Sequence, residues 1–205
     1  MAQAPPGRRE QRRQEIRGRI EDAAYELFQR QGIDNTSIEE ICLHAGVARR
    51  TFYGHYPNKH ALLAGLGISR LYSQAEPMLR RVMARHRSTR ARLAGMIEYI
   101  ATNFATYRDI DRELILIAPS AFADNTEQQR EIGNAATDAF TRLISAGREL
   151  GDVSGEFSPE MLAAMVVGTL NMLTLNWAMN GDYPVFERLE EARRMFERLI
   201  CKAGA

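Results

Sequence analysis

Apolar residues recur at three- and four-residue intervals along most of this chain, which is the period of an amphipathic α-helix. The first stripe covers about 10–32, and Gly32 ends it. A long helix follows at 58–86, bent or broken near Pro77, whose ring interrupts helical hydrogen bonding. Further helices are predicted at 89–107, 111–118, 126–150, 159–180 and 184–201, separated by Pro119, Gly151, Gly155, Gly181 and Pro184. Strand-like alternation is absent from the sequence, so the predicted fold class is all-α.

Between 36 and 62 the pattern changes to two short helices joined by a tight turn. Ser37 followed by Glu40 has the spacing of a capping box, so a helix is predicted to begin near Ser37. Gly46 ends that helix, because glycine readily takes the left-handed conformation found at helix ends. The second helix, at about 48–53, is too short to stand alone and has Phe52 as its main buried residue. This arrangement predicts a helix-turn-helix.

The second short helix carries side chains suited to DNA. Arg49 and Arg50 can each donate two parallel bonds to a guanine edge, and Thr51 can meet a thymine methyl group. Tyr53 and the following His55 can bond phosphates. We therefore expect this helix to be the recognition helix.

A third helix is predicted to begin at Asn58, with Lys59 in its first turn placed to meet another phosphate. The residues AGVARRTFYGHYPNKHALL, preceded by GIDNTSIEEI, resemble the DNA-binding segment of TetR-type bacterial regulators. The resemblance runs from about Arg12 to Leu63. The positions at which that family contacts DNA are occupied here by Ser37, Arg49, Arg50, Thr51, Tyr53, His55 and Lys59.

Three residues depart from the family pattern. Ala48 stands where the family often has a serine cap, which is expected to weaken that helix start by roughly 1 kcal/mol. Cys42 replaces a common alanine, and Gly54 replaces a larger residue. Beyond Leu63 the resemblance concerns layout alone. It implies an all-α subunit of about nine helices, with a small DNA-reading end and a larger domain that dimerises through its last two helices.

Three parts of the chain are expected: a flexible basic arm at 1–9, a helix-turn-helix domain at 10–63, and a ligand-binding and dimerisation domain at 64–205. The formal net charge is only +1, so any DNA affinity must come from a local face. The arm is either a solvated tail or a segment that reaches DNA. A run of arginines at 80–92 is either a set of solvated helix faces or a second anion-binding patch.

The stretch 161–181 contains no charged residue. A membrane span is rejected because Thr169, Asn171 and Asn176 are among too many polar groups for a lone span. A helix that is apolar almost all round is buried on all sides, so a second copy of the chain is expected to cover one face. The predicted homodimer seam uses 159–180 and 184–201, with Gly168 allowing close approach and Val167 facing outward.

An effector pocket is predicted between the helices at 89–107, 126–150 and 159–180, where aromatic, methionine and neutral amide residues occur together. Its candidate residues are Met96, Ile100, Asn103, Phe104, Tyr107, Phe140, Asn176 and Trp177. Each residue taken singly is more often plain core. Asn103 and Asn176 favour a pocket, because a buried amide needs a partner, which a ligand or trapped water can supply. The expected effector is small, largely apolar, and neutral or weakly charged.

The function predicted from these features is ligand-controlled DNA binding in the bacterial cytoplasm. No phosphate loop, nucleophile elbow or cluster of histidines and carboxylates indicates an enzyme. Cys42 and Cys201 match no metal spacing, and neither a metal nor a cofactor is expected. A dimeric repressor on an inverted-repeat operator is favoured. The alternative is an architectural or effector-independent DNA-binding regulator, which does not need a large second domain; activation also remains open.

Overall fold

The computed structural model describes residues 7–72, 74–124 and 127–202, with side chains described for all of these except 70, 71 and 119–133. Within these ranges the chain forms ten α-helices, and the only β-pairing is an isolated bridge between Val153 and Cys201. The all-α prediction is confirmed. The chain divides into two compact units, Met1–Leu66 and Gly67–Ala205, and the division falls within the fourth helix.

The first unit contains α1 (Arg8–Gln31), α2 (Ile38–Ala45), α3 (Arg49–Tyr53) and the first half of α4 (Lys59–Tyr72). Ile20, Phe28, Ile41 and Phe52 form its core, and all four are buried. The first helix begins at Arg8, two residues before the predicted start, because the extended backbone of Gly7 places the helix entry there. Residues 1–6 of the predicted arm lie outside the described residues.

The second unit contains the end of α4 and the helices α5 (Ala75–Arg85), α6 (Thr89–Phe104), α7 (Asp109–Asp124), α8 (Glu127–Leu150), α9 (Pro159–Met179) and α10 (Val185–Ile200). Helix α9 packs against α7, α8 and α10, while α8 also contacts α5 and α6. The core of this unit includes Leu93, Met96, Leu114, Leu143 and Phe196.

Two predictions about prolines need correction. The long helix expected at 58–86, bent or broken near Pro77, is two helices, α4 and α5, and the break lies before Pro77, since they end and begin on either side of residues 73–74. Pro77 lies in the first turn of α5, where a helix needs no backbone donor, so it is tolerated inside the helix. This break gives ten helices in the described residues where about nine were expected. Helix α7 also continues through Pro119, which was predicted to end it, at the cost of one backbone donor. Residue 126, the predicted start of the next helix, lies outside the described residues.

In the single chain, helix α9 is buried on one face only. The expected cover of its other face by a second copy of the chain stays a prediction. Leu162, Val166 and Leu170 face the core, while Met161, Met172 and Met179 are exposed. In the described part of the chain, α9 is the one helix whose length and composition would suffice to cross a membrane. Its buried face, packed against three other helices, is that of a core helix.

Val167, predicted to face outward, is only 8% exposed and belongs to the buried face. The error arises because a helix that is apolar nearly all round gives no sign of which face its neighbours cover. A substitution that tests the seam therefore belongs at an exposed position of α9, such as Met172.

Candidate nucleic-acid interface and regulatory cavity

The capping box at the start of α2 is present in both directions. The Glu40 backbone amide donates to the Ser37 hydroxyl oxygen (3.2 Å), and the Ser37 amide donates to the Glu40 carboxylate (2.8 Å). The Ser37 hydroxyl also donates to that carboxylate (2.8 Å). These bonds, chiefly the one from the backbone amide, hold the pKa of Glu40 below its ordinary value. Ser37, a predicted DNA contact, is thus already used in fixing the helix start.

The turn between α2 and α3 depends on Gly46 and on an arginine from α1. Gly46 has φ of +63°, the left-handed conformation that other residues rarely adopt. The Arg19 guanidinium donates to the carbonyls of Ala45 (2.5 Å) and Gly46 (3.0 Å), which are free at the helix end. This role of Arg19 was not predicted, because nothing in the sequence links two sites 26 residues apart.

Helix α3 is anchored by Phe52, which is fully buried, and begins at Ala48 without a side-chain cap, as its sequence predicts. Arg49, Arg50 and Tyr53 are exposed on it, and Thr51 is half-buried. These four predicted DNA contacts therefore share one helix of five residues.

Arg49 is not an isolated charge. Its guanidinium lies 2.8 Å from the Glu39 carboxylate, and both side chains are more than half exposed. Hydrogen bonding to Tyr53, together with Glu39, raises the pKa of Arg49. The ion pair orients Arg49. Because it is exposed and screened, little free energy is lost when a phosphate or base replaces Glu39 as the partner of Arg49.

His55 and Lys59 follow α3 and are both half-buried. Burial lowers the pKa of His55, and the positive charges of Arg13 and Arg17 lower it further. The Lys59 ammonium donates to the carbonyl of Ile33 and lies 6.0 Å from the centre of the Phe28 ring. Lys59 is therefore engaged inside the unit, so Lys59→Ala would remove an internal contact as well as any phosphate contact.

Two further contacts fix the segment after α3. The Asn58 side chain accepts from the Ala61 amide (2.8 Å), which confirms the predicted cap of α4. The buried Tyr56 hydroxyl donates to Glu21 on α1, and Arg17 bonds the same carboxylate at 2.7 Å. Burial, more than any other cause, raises the pKa of Tyr56. The Tyr56–Glu21–Arg17 group was not predicted, since Tyr56 lies 35 residues from Glu21 in sequence.

In the second unit a cavity of about 80 Å³, here called the regulatory cavity, lies among α4, α5, α6, α8 and α9. Five of the predicted pocket residues line it: Ile100, Asn103, Phe104, Tyr107 and Phe140. Its other lining residues are Tyr72, Gln74, Ala75, Met78, Tyr99, Ala136, Val167, Leu170, Asn171 and Thr174. The contribution of Tyr72, Gln74 and Ala75, where α4 ends and α5 begins, was not predicted.

Three predicted pocket residues do not line the cavity. Met96 is a fully buried core residue, and Asn176 is half-buried on α9. Trp177 stands behind the wall, with its ring centre 5.2 Å from that of Phe104 and 5.6 Å from that of Tyr107. The amide argument is weaker than expected for Asn103 as well, since it is half-buried rather than enclosed.

Arg112 holds Trp177 in this position. Its guanidinium lies 4.1 Å from the centre of the indole and donates to the Trp177 carbonyl (2.7 Å). This cation–π contact and hydrogen bond fix the wall formed by Phe104 and Tyr107.

Two tyrosine–amide pairs lie at the mouth of the cavity, where Gln74 and Asn171 are exposed. The Tyr99 hydroxyl donates to Gln74 (3.0 Å), and Tyr72 is hydrogen-bonded to Asn171. Burial raises the pKa of Tyr72, while the bond with Asn171 opposes that rise. No acidic, basic or histidine side chain is among the described residues that line the cavity.

The amino-acid sequence is similar to those of known transcriptional regulators. The model of "Bacterial regulatory proteins, tetR family" matches residues 20–66. The transcriptional regulator TcmR of Streptomyces glaucescens is 24% identical over 192 residues, covering 86% of this chain and 79% of that protein. The transcriptional activator FasR of Mycolicibacterium smegmatis is 25% identical over 176 residues, covering 84% and 76%.

The crystal structure of FadR from Thermus thermophilus, a TetR-family repressor in complex with lauroyl-CoA, superposes with a TM-score of 0.67. It is 26% identical, and the match covers 92% of this chain and 98% of FadR. The helix-turn-helix and these relatives identify the chain as a DNA-binding transcriptional regulator. The relatives named here are regulators of transcription and not enzymes. Residues 20–66 form a TetR-family DNA-binding domain, and the whole chain is similar to TetR-family regulators.

Proposed function

We propose that this protein is a ligand-controlled repressor that binds an inverted-repeat operator as a homodimer in the bacterial cytoplasm. In this proposal residues 10–63 read DNA, and residues 64–205 bind the effector and form the dimer. The main support is α3, a short helix anchored by Phe52 that presents Arg49, Arg50 and Tyr53 to solvent. A buried anchor beneath exposed arginines is what a helix entering a major groove requires.

Arg49, Arg50, Thr51 and Tyr53 are proposed to contact base edges. Ser37, His55 and Lys59 are proposed to position the DNA backbone, Ser37 and Lys59 while keeping their internal hydrogen bonds. Arg50 is the clearest test, because it is exposed on α3 and no predicted cap or core contact depends on it. Its guanidinium can donate two parallel bonds to one guanine.

The dimer is proposed to form through the exposed faces of α9 and α10. The apolar residues exposed there are Met161, Met172, Met179, Phe186, Met195 and Leu199. Gly168 lies on the same face of α9, and an added Cβ would meet nothing within 4 Å. A glycine with open space above it lets a second helix approach closely. A row of exposed apolar side chains on two neighbouring helices is typical of a surface that another protein covers.

The regulatory cavity is proposed to hold the effector. Tyr72, the last residue of α4, lines it, and α4 begins at Lys59 in the DNA-reading unit. A ligand that changes the position of Tyr72 therefore acts on α4 itself. Control requires only that the ligand bind more tightly to one of two shapes of the dimer.

Repression is proposed because a dimer that occupies an operator can block transcription without any further partner, and FadR is a repressor. The relative FasR is an activator, so whether this protein represses or activates transcription needs a separate test. The alternative, an effector-independent DNA-binding protein, leaves a cavity with aromatic walls and paired polar groups without a role.

The proposal is tested by selecting bound DNA from a random pool with the full-length protein. The expected result is an inverted repeat whose half-sites lie one helical turn apart, about 34–36 Å. Arg50→Ala is expected to relax base preference at one position per half-site by ~1–3 kcal/mol. Arg30→Ala, which removes an exposed arginine from α1, is the control and should leave the preference unchanged. Recovery of unrelated sequences, or equal behaviour of the two variants, would contradict the assignment.

A further inference from the structure

Among the described residues, the polar groups that line the regulatory cavity are all uncharged. The lining combines five aromatic rings with three amide side chains and one threonine: Tyr72, Tyr99, Phe104, Tyr107, Phe140, Gln74, Asn103, Asn171 and Thr174. The Thr174 hydroxyl donates to the Leu170 carbonyl (2.8 Å), so it is already used within α9. The amides and tyrosines are therefore the groups that can recognise a ligand.

The size of the cavity limits the apolar part of the ligand. Its volume of about 80 Å³ is roughly half that of an engineered protein cavity of ~150 Å³ that binds benzene. The enclosed part therefore has room for no more than a single ring, and any further group must extend towards the mouth at Gln74 and Asn171. Phe104 and Tyr107, supported by Trp177, offer this ring an aromatic wall.

Each amide at the mouth retains hydrogen-bonding capacity. An amide has two donors and a carbonyl with two lone pairs, and the single bond that Gln74 or Asn171 makes with a tyrosine uses only part of this set. A ligand hydroxyl or carbonyl can bond an amide there or replace the tyrosine. The half-buried Asn103 also lines the cavity and offers a ligand the same donors and acceptor. An anion gains no such match, because burying an unpaired charge is costly and no cation lines the cavity in the described residues.

We propose that the regulatory cavity is selective for uncharged, single-ring aromatic molecules that carry a hydroxyl or carbonyl group, and that Asn103 and Asn171 determine this selectivity. The inference rests on the proposed function in taking this cavity as the effector site. It separates this chain from FadR, whose bound ligand, lauroyl-CoA, carries several phosphate charges.

Trp177 provides the measurement, because it is the only tryptophan of the chain and touches two residues of the cavity wall. The full-length dimer is titrated with three matched probes, 4-propylphenol, propylbenzene and 4-propylbenzoate, and separately with lauroyl-CoA. We expect 4-propylphenol to change the Trp177 fluorescence and to bind about tenfold more tightly than propylbenzene, which leaves the amides without a ligand bond. The benzoate is expected to bind more weakly still.

Variants locate the effect. Asn103→Leu and Asn171→Leu are expected to remove most of the preference for the phenol over propylbenzene. Asn176→Leu is the matched control, since it changes a half-buried asparagine of α9 outside the cavity and should keep the preference. Circular dichroism of each variant shows whether the helices remain folded.

The inference is overturned if 4-propylphenol causes no change up to its solubility limit, or if 4-propylbenzoate or lauroyl-CoA binds as tightly as the phenol. It is also overturned if folded Asn103→Leu and Asn171→Leu keep the preference for the phenol over propylbenzene.

Operator binding is measured in the same titrations. Binding of the phenol without any effect on operator affinity contradicts the proposed control but leaves the ligand class standing. Release of the operator by an anionic ligand alone contradicts the ligand class but supports the control.

Discussion

The first unit (Met1–Leu66, here called the DNA-reading unit) and the second (Gly67–Ala205, here called the regulatory unit) show how local caps and distant hydrogen bonds do different work within each unit. In the first, Ser37 bonds Glu40 and Asn58 bonds Ala61, each three residues away. In the second, the Asp152 carboxylate accepts from the amide and hydroxyl of Thr89, 63 residues away, at 2.7 and 2.6 Å. Arg112 reaches Trp177 over a separation of 65 residues. Local contacts fix the ends of short helices, whereas distant contacts decide where long helices pack and where a cavity remains.

This difference predicts that the regulatory unit is most sensitive to losses in its core. Leu143→Ala, at a fully buried position of α8, is expected to lower the free energy of unfolding by about 2–5 kcal/mol. Leu150→Ala on the same helix, at a position 57% exposed, should change it by no more than about 0.5 kcal/mol. Urea unfolding at one fixed protein concentration measures both. Similar losses in the two variants would show that burial on α8 does not govern stability.

A charge on the exposed face of α9 tests whether a second copy covers it. Met172 is 56% exposed in the single chain, and Met172→Glu is expected to weaken the dimer at least ~tenfold by burying an unpaired carboxylate. Leu116→Glu on α7 replaces another exposed apolar residue outside the proposed seam and should leave the dimer intact. Light scattering over a dilution series distinguishes them. If the unmodified protein is a monomer at micromolar concentration, the proposed dimer interface is wrong.

A smaller effect is expected from the capping box in the DNA-reading unit. Ser37→Ala removes the acceptor for the Glu40 amide and should cost about 1 kcal/mol of stability. Ser37→Gly also lacks the hydroxyl but should cost only a few tenths of a kcal/mol. Comparing the folded fraction and the operator affinity of the two variants separates the cap from a DNA contact. If both bind operator normally once folded, Ser37 acts only as a cap.

The smallest expected effect is a pH dependence from His55. Its pKa is lowered in the folded chain, chiefly by burial and then by Arg13 and Arg17, while Glu21 opposes the shift. The folded state therefore binds this proton more weakly than the unfolded state does. The contribution of neutral His55 to the stability of the folded chain is fully present above the ordinary histidine pKa near 6.5. This stability is lost as the pH falls from there through the lowered pKa of the folded chain. Unfolding at a series of pH values should show a shallower acid decline for His55→Gln than for the unmodified chain. Parallel curves would contradict this assignment.

The site in the DNA-reading unit was predictable because its chemistry lies in consecutive residues. The spacing of Ser37 and Glu40, the position of Gly46 and the run from Arg49 to Tyr53 are visible in the sequence and depend on contacts within one or two turns. Arg19 and the Tyr56–Glu21–Arg17 group were missed, since only the packing of α1 brings them to the turn and to the segment after α3.

In the regulatory unit the sequence placed Ile100, Asn103, Phe104, Tyr107 and Phe140 near a common region, and all five line the regulatory cavity. It could not distinguish them from Met96, which is plain core, or from Trp177, which supports the wall. Aromatic and methionine residues at helical spacing look the same in both roles. A cavity exists where side chains from several helices fail to fill a space, and no single helix records that.

The sequence by itself determined the all-α class, most helix bounds to within a few residues, and the helix-turn-helix with its exposed arginines. These follow from periodicity, capping and turn residues, whose effects extend over about four positions. Only the tertiary structure decided that α4 and α5 are separate, that Val167 faces inward while Met172 faces outward, and that Tyr72 and Asn171 meet at the mouth of the cavity. Those outcomes depend on which of several similar apolar surfaces pack together, and that choice is made by the summed shape of distant residues.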